Sequence, residues 1–142
     1  MQRSNTCVFC RIINRELPAS IVYEDEAVLA IMDINPINAG HVLVMPKQCC
    51  ETLRELPDTL AQQVFAVVKK VDQALWKTEG IACEGTNILQ NNGRSAWQDV
   101  FHVHFHVIPR FAGDGFKIKY QAGRPDRETL DGLAAAIKQQ TG

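Results

Sequence analysis

The spacing of apolar residues changes period along the chain, and each change marks an element. "IVYEDE" and "AVLAIMDI" are short apolar runs joined by an acidic turn, which predicts two neighbouring strands. "NPINAG" is loop chemistry, and "HVLVMPK" after it reads as a strand ended by Pro46. From Asp58 to about Thr78 the apolar positions Leu60, Val64, Val67, Val68, Val71 and Leu75 recur at helical spacing. That predicts one long amphipathic helix with Asp58 as its N-cap and Gly80 beyond its end. "GTNILQ" then reads as a strand, "NNGRSAWQD" as a polar loop, and "VFHVHFHVIP", residues 100–109, as another strand. "GFKIKY" is a candidate short strand, and "RPDRETLDGLAAAIKQQ" predicts a helix over about 126–139. Upstream of all these, "RIINRELPAS" reads as a helical turn closed by Pro18. Adjacent strands with one long helix and a terminal one give an α+β domain around an antiparallel sheet.

Composition narrows the setting. At 142 residues, with 46% apolar and 22% charged, the chain is expected to be one soluble domain over 1–142. Fifteen basic and sixteen acidic residues leave a net charge of -1, so no DNA- or RNA-binding field and no membrane footprint are expected. "MQRSNTCVFC" lacks the apolar core of a signal peptide, and "AVLAIM" is cut by Asp33 before it could span a bilayer. Five cysteines in this spacing do not resemble a secreted disulfide framework. A reducing cytoplasm is the expected location.

The segment "FHVHFHVIPR" holds three of the four histidines at alternate positions, His102, His104 and His106. On a strand they share one face while the apolar residues share the other. Neighbours then lie ~7 Å apart and the outer pair ~13–14 Å apart, so one ion can recruit two of them but not all three. The face therefore divides its labour among metal binding, chemistry and plain solvation. A zinc hydrolase built on a His-x-His pair is a rival reading at this point. "CVFC", residues 7–10, has metal-ligand spacing. Redox use of such a pair normally wants a helix start after a strand, which this N-terminal position does not offer.

"HVHFHV" resembles the pattern of the histidine-triad (HIT) family, three histidines alternating with apolar residues and followed by two more. "CVFCRIINRELPASIVYEDEAVLAIMDINPINAGHVLVMPK" is similar to the first half of bacterial, Hint-like members, and "LQNNGRSAWQDVFHVHFHVIPR" to their active-site half. The resemblance implies the HIT-like fold, a triad strand over 100–109, and attack by the middle histidine, His104, on an α-phosphate. A nucleotidyl-histidine would form and then be hydrolysed. The chemistry stands independently: a neutral imidazole is available near pH 7, attacks as a nucleophile, and leaves as imidazolium. His106 is suited to hydrogen-bond a non-bridging phosphate oxygen as charge develops.

By the same resemblance, Asn91 and Gln98 contact phosphate or the bridging atom, and Gly93 lets the backbone approach closely. Asp33 in "MDINP" resembles the carboxylate that accepts both ribose hydroxyls, although a turn role before Asn35-Pro36 would equally use an Asp. Val8, Phe9, Ile12, Ile31 and Ile34 map to the apolar slot that sandwiches the base. Asp99 stands where relatives often carry Ser or Thr. A carboxylate there repels phosphate, so no direct phosphate contact is expected of it. Trp97 stands where small residues are usual, and covering the leaving-group side or filling core are both open to it. The resemblance also implies a structural zinc on Cys7, Cys10, Cys49 and His102, within a zinc-binding N-terminal part, residues 7–50. Cys50 is the neighbouring alternative if the register slips by one. Cys83 is expected to be a buried thiol.

The leading expectation is a hydrolase or transferase acting on nucleoside phosphoramidates or related adenylates, with a purine nucleotide as ligand. A dinucleoside polyphosphate hydrolase is the alternative in the same class. The shortness of "RSAWQD" favours the smaller leaving group. A nucleotide-binding interaction protein and a metal-dependent hydrolase complete the field. Family members commonly pair through the long helix and an adjoining strand, which implies a homodimer.

Overall fold

The structure, a computed structural model, describes residues 6–142. Its elements in order are α1 (Val8–Ile13), β1 (Ile21–Glu24), β2 (Val28–Met32), β3 (Val42–Pro46), α2 (Asp58–Lys77), β4 (Gly85–Gln90), β5 (Phe105–Arg110) and α3 (Arg127–Thr141), with short 3-10 turns at Leu53–Glu55 and Arg94–Ala96. The strands form one five-stranded sheet in the order β1-β2-β3-β5-β4, every neighbouring pair antiparallel. The expected α+β architecture is therefore the one observed.

Strand alternation sorts the apolar residues onto two covered faces. Val28 and Ala30 of β2, Val42 and Val44 of β3 and Val107 of β5 face α2, which presents Leu60, Val64, Val67, Val68, Val71 and Leu75. These are the six positions that helical spacing selects from the sequence. Leu29 and Ile31 of β2 and Leu43 and Met45 of β3 turn the other way, against Phe9 and Ile12 of α1. Covering both faces explains why β2 and β3 are continuous apolar runs rather than alternating ones. No helix among the described residues is long and apolar enough to cross a membrane.

Several boundaries differ from expectation, each for a local reason. Asp58 is the first helical residue rather than the N-cap, which is Pro57, and no side chain caps that end. The first helix begins earlier than "RIINRELPAS" suggests, because Cys7 caps it by accepting the Cys10 N–H on its sulfur at 3.3 Å. The Cys7–Cys10 pair therefore does sit at a helix start. "GFKIKY" forms no strand. Arg110 clamps Asp114 through two nitrogens and takes the Phe116 carbonyl at 2.7 Å, and this turns the chain off the sheet. α3 is capped by Asp126 but buries none of its residues, so it does not close the sheet.

The largest departure is at the triad. The strand expected from residue 100 begins only at Phe105. β3 pairs with β5 from Val42–Val107 to Val44–Phe105 and no further. Beyond that point Pro46 has no N–H to give, and its carbonyl is taken by the His102 ring at 2.8 Å. Residues 101–104 are thus free to bend, and the three histidines are not held at straight-strand spacing.

Candidate active site

The bend brings the rings of His104 and His106 to a centroid separation of 5.0 Å, while Phe9 packs edge-on against both His102 and His104. Hydrogen bonds fix the tautomers. His104 Nδ1 lies 2.7 Å from the His102 carbonyl, which can only accept, so Nδ1 carries the proton and Nε2 keeps its lone pair. A fourth histidine, His41, fixes His106. Its Nδ1 accepts the Ile37 N–H at 3.0 Å, so its proton sits on Nε2. That N–H points at His106 Nδ1, 2.9 Å away, and leaves His106 with its own proton on Nε2. The site therefore presents one bare imidazole nitrogen beside one imidazole N–H donor.

Sequence reading passed over His41. It precedes β3, and the register that pairs Leu43 with His106 brings it to the triad. Gly40 permits the approach: its φ is +100°, and a Cβ there would meet Ile81 at 3.0 Å and Pro109 at 3.2 Å. The only prior signal was a lone histidine at a strand start.

Burial disfavours charge on these rings. Desolvation, then the neighbouring His104 and His41, push His106 down to about 4, against opposing pulls from Asp33 and Asp99. Burial likewise lowers His41, opposed by Asp33, whose Oδ2 lies 3.4 Å from His41 Nε2. A histidine depressed in the folded state binds its proton more readily when unfolded. Stability is accordingly expected to be complete above about pH 6.5, the ordinary histidine value, and to fall as pH drops toward about 4. Thermal melts across that window check this. A His106→Asn variant should show a shallower fall, and an identical pH profile in the variant would refute the assignment.

A cavity of about 340 Å³ opens onto these rings. Its walls include Val8, Phe9, Ile12, Ile31 and Ile34, with Asp33, His104 and His106 among its polar lining. The structure thus gathers the whole apolar set and the carboxylate at one slot. Asp33 Oδ1 accepts the Asn35 N–H at 2.8 Å, a turn contact, while its other oxygen faces His41. The turn role open to Asp33 in the sequence is the one observed.

The loop before the triad is placed differently. Gln98 is 4% exposed and its amide is fully engaged. Oε1 accepts the Gly93 N–H at 2.8 Å, and Nε2 donates to the carbonyls of Glu51 at 2.6 Å and Val100 at 3.1 Å. It braces the loop, with its N–H donors committed to two backbone carbonyls. Asn91 donates to the Trp97 carbonyl at 3.4 Å, and neither Asn91 nor Gly93 lines the slot. Trp97 is 70% exposed, so it is not a core aromatic. Its φ of 68° is a left-handed conformation that costs a non-glycine residue about 1–2 kcal/mol. Asp99 Oδ1 stands 3.6 Å from His104 Nε2.

A second constellation lies on the other side of His102. The ligand atoms of Cys7, Cys10, Cys49 and His102 lie within 4.8 Å of one another. His102 donates from Nε2 to Pro46, so Nδ1 turns its lone pair to the Cys7 and Cys10 sulfurs, each 3.5 Å away. Tetrahedral zinc, with Zn–S about 2.3 Å and Zn–N about 2.0 Å, separates sulfur from nitrogen by about 3.5 Å. Burial, then Cys49 and Cys7, push the Cys10 thiol well up. Clustered thiolates of this kind need a cation. The donor set fits a metal ion. Cys50 is excluded, because its sulfur turns into the core and meets the Glu55 carbonyl at 3.8 Å. Cys83 is half-buried rather than fully buried.

Comparison with known proteins agrees with this geometry. The HIT domain family model matches residues 14–113. An uncharacterized HIT-like protein of Methanocaldococcus jannaschii is 48% identical over 132 residues, 93% of this chain and 98% of that protein. An adenosine 5'-monophosphoramidase of Candida albicans is 37% identical over 138 residues, 95% of this chain and 91% of that one. The crystal structure of a HIT family member from Bacillus subtilis superposes with a TM-score of 0.89 at 39% identity, covering 95% of this chain and 96% of that one. A zinc-bound histidine triad family protein from Mycobacterium smegmatis superposes with a TM-score of 0.75 at 39% identity, covering 96% of each chain. With its triad, fold and sequence all in agreement, the chain belongs to the HIT domain family.

Proposed function

We propose that the protein is a nucleotide hydrolase that cleaves nucleoside phosphoramidates or related adenylates at the α-phosphate through a nucleotidyl-histidine intermediate. The observation that carries this reading is the tautomer of His104. Its Nδ1 proton is held by the His102 carbonyl, so Nε2 stands bare at the slot that would hold the nucleotide. The name of the Candida albicans relative, an adenosine 5'-monophosphoramidase, supports the substrate class.

The base enters between Phe9, Ile12, Ile31 and Ile34, and Asp33 accepts from the ribose hydroxyls. His104 Nε2 attacks the α-phosphorus while the bond to the leaving nitrogen breaks. Because His41 Nε2–H donates to His106 Nδ1, His106 keeps its own proton on Nε2 and donates it to a non-bridging oxygen. Water then hydrolyses the phosphorus–nitrogen bond to His104 and releases the nucleoside monophosphate. Gln98 acts as a positioning residue. Zinc held by Cys7, Cys10, Cys49 and His102 would be structural, tying the N-terminus to the triad. The five free thiols suit a reducing, cytoplasmic setting.

The test is intact-protein mass spectrometry after a brief acid quench with an adenosine 5'-phosphoramidate. An added nucleotidyl mass on the wild type supports the reading. Turnover without an adduct would replace it by direct attack of water.

The same reading includes a homodimer. Phe65 and Trp76 on α2 are 57% and 51% exposed, and Phe65 lies with Leu53 and Phe105 along an apolar surface. β4 is an edge strand beside it, open to pairing. Sedimentation equilibrium should give twice the chain mass, and Phe65→Glu should give the monomer. A monomeric wild type removes the proposal.

A further inference from the structure

His106 can donate from Nε2 only while His41 keeps its own proton on Nε2. Two groups hold it there: the Ile37 N–H, 3.0 Å from Nδ1, and the Asp33 carboxylate, 3.4 Å from Nε2. Both ride on the loop between β2 and β3, residues 33–41. The Asp33 N–H closes that loop at its base by donating to the His41 carbonyl at 3.0 Å. Asn38 ties the loop to β5 and to the turn beyond it. Its backbone carbonyl accepts the His41 N–H at 3.1 Å, and its Nδ2 donates to the Pro109 carbonyl at 2.9 Å and to Asp114 Oδ2 at 2.8 Å.

Asp114 is a firm anchor for that tie. Arg110 donates to both its oxygens, from Nε at 2.6 Å and from Nη2 at 2.9 Å, and the Phe116 N–H donates to Oδ1 at 3.2 Å. Arg110 is itself held by Asn87 of β4, whose Oδ1 accepts from Nη1 at 2.6 Å. The Asp114 side chain is 4% exposed, and a carboxylate that buried keeps its charge only with such donors in place. Contacts therefore run from the sheet edge through Asp114, Asn38, Ile37 and His41 to the His106 ring.

We propose that Asn38, anchored by Asp114, is a positioning residue that keeps His106 a hydrogen-bond donor to the phosphate. This role rests on the phosphoramidate reading above and adds to it the residues that fix its donor. Once Asn38 lets go, the Ile37 N–H no longer faces His41 Nδ1, and that nitrogen is free to take a proton from water. The Nε2 proton of His41 then passes to His106 Nδ1, and His106 returns its Nε2 proton to water. Each ring stays neutral, and no net proton is gained or lost. His106 Nε2 now carries a lone pair, which repels a non-bridging oxygen where an N–H would stabilise it. Losing such a donor outright costs about 100- to 1,000-fold, so a partial exchange of tautomers is expected to cost about ten-fold in kcat.

Long-range 1H–15N correlation spectra at about pH 8, where unperturbed histidines are neutral, read the tautomer of each ring. The wild type is expected to show single Nε2–H tautomers at His41 and His106. In Asn38→Ala, His106 should gain an Nδ1–H population, and kcat on an adenosine 5'-phosphoramidate should fall about ten-fold with the fold retained by circular dichroism. Asp114→Ala acts through Asn38, so the double variant should lose no more than Asp114→Ala alone. Val68→Ala is the control for lost stability, since Val68 is buried in the core between α2 and the sheet. Its melting temperature should drop while tautomers and kcat stay at wild type. Unchanged tautomers in Asn38→Ala, with the phosphoramidate still turned over, overturn this inference and leave the function reading standing. A changed His106 tautomer with undiminished kcat overturns it too, because the donor would then serve no step. Neither turnover nor adduct in the wild type defeats both.

Discussion

His104→Ala is expected to lower kcat on an adenosine 5'-phosphoramidate by about four to six orders of magnitude and to abolish the covalent adduct, with the fold retained. The size follows from the role: deleting a nucleophile removes the intermediate itself, and comparable deletions elsewhere cost up to about a million-fold. His41 and His106 cannot substitute for it. His106 holds its free proton on Nε2, and His41 spends Nδ1 on the Ile37 N–H. Removing the buried ring opens a cavity beside Phe9, so some stability is lost with the activity. Circular dichroism separates the two effects, because a folded variant without turnover assigns the loss to chemistry. A variant that keeps activity within ten-fold of wild type would remove His104 as nucleophile.

Cys49→Ala, or a strong chelator, is expected to lower the melting temperature by about 10 °C or more, since binding of a structural ion contributes several kcal/mol or more to folding. The reason is topological. Cys7 and Cys10 lie at the start of α1, Cys49 follows β3, and His102 precedes β5, so one ion would tie three distant segments. His102 extends the tie through its 2.8 Å bond to Pro46. Activity at 25 °C should persist until the shortened melting curve reaches it. Immediate loss of turnover on chelation, with the fold still intact, would instead mark a metal-dependent hydrolase. Cys50→Ala serves as the control and should leave metal stoichiometry unchanged, because its sulfur faces the core.

These expectations draw on different depths of information. Apolar periodicity alone located β4 at "GTNILQ", the span of α2 and its six buried residues, because period is a local consequence of backbone geometry. Motif resemblance placed Asp33, His104, His106 and the apolar slot residues, which the fold gathers at one cavity. Local pattern misread the triad as a strand from residue 100. Pairing ends where Pro46 can offer no N–H, and that depends on which strand lies alongside. The same pattern missed His41, whose place beside His106 comes from the β3–β5 register rather than from its neighbours in sequence. It also gave no sign that Gln98 would be buried with its amide hydrogen-bonded to the loop. Sequence by itself determined most of the elements, the family and the chemical types at the site. Tertiary structure decided the tautomers and the choice of Cys49 over Cys50, because each depends on groups far apart in sequence and meeting only across the folded sheet.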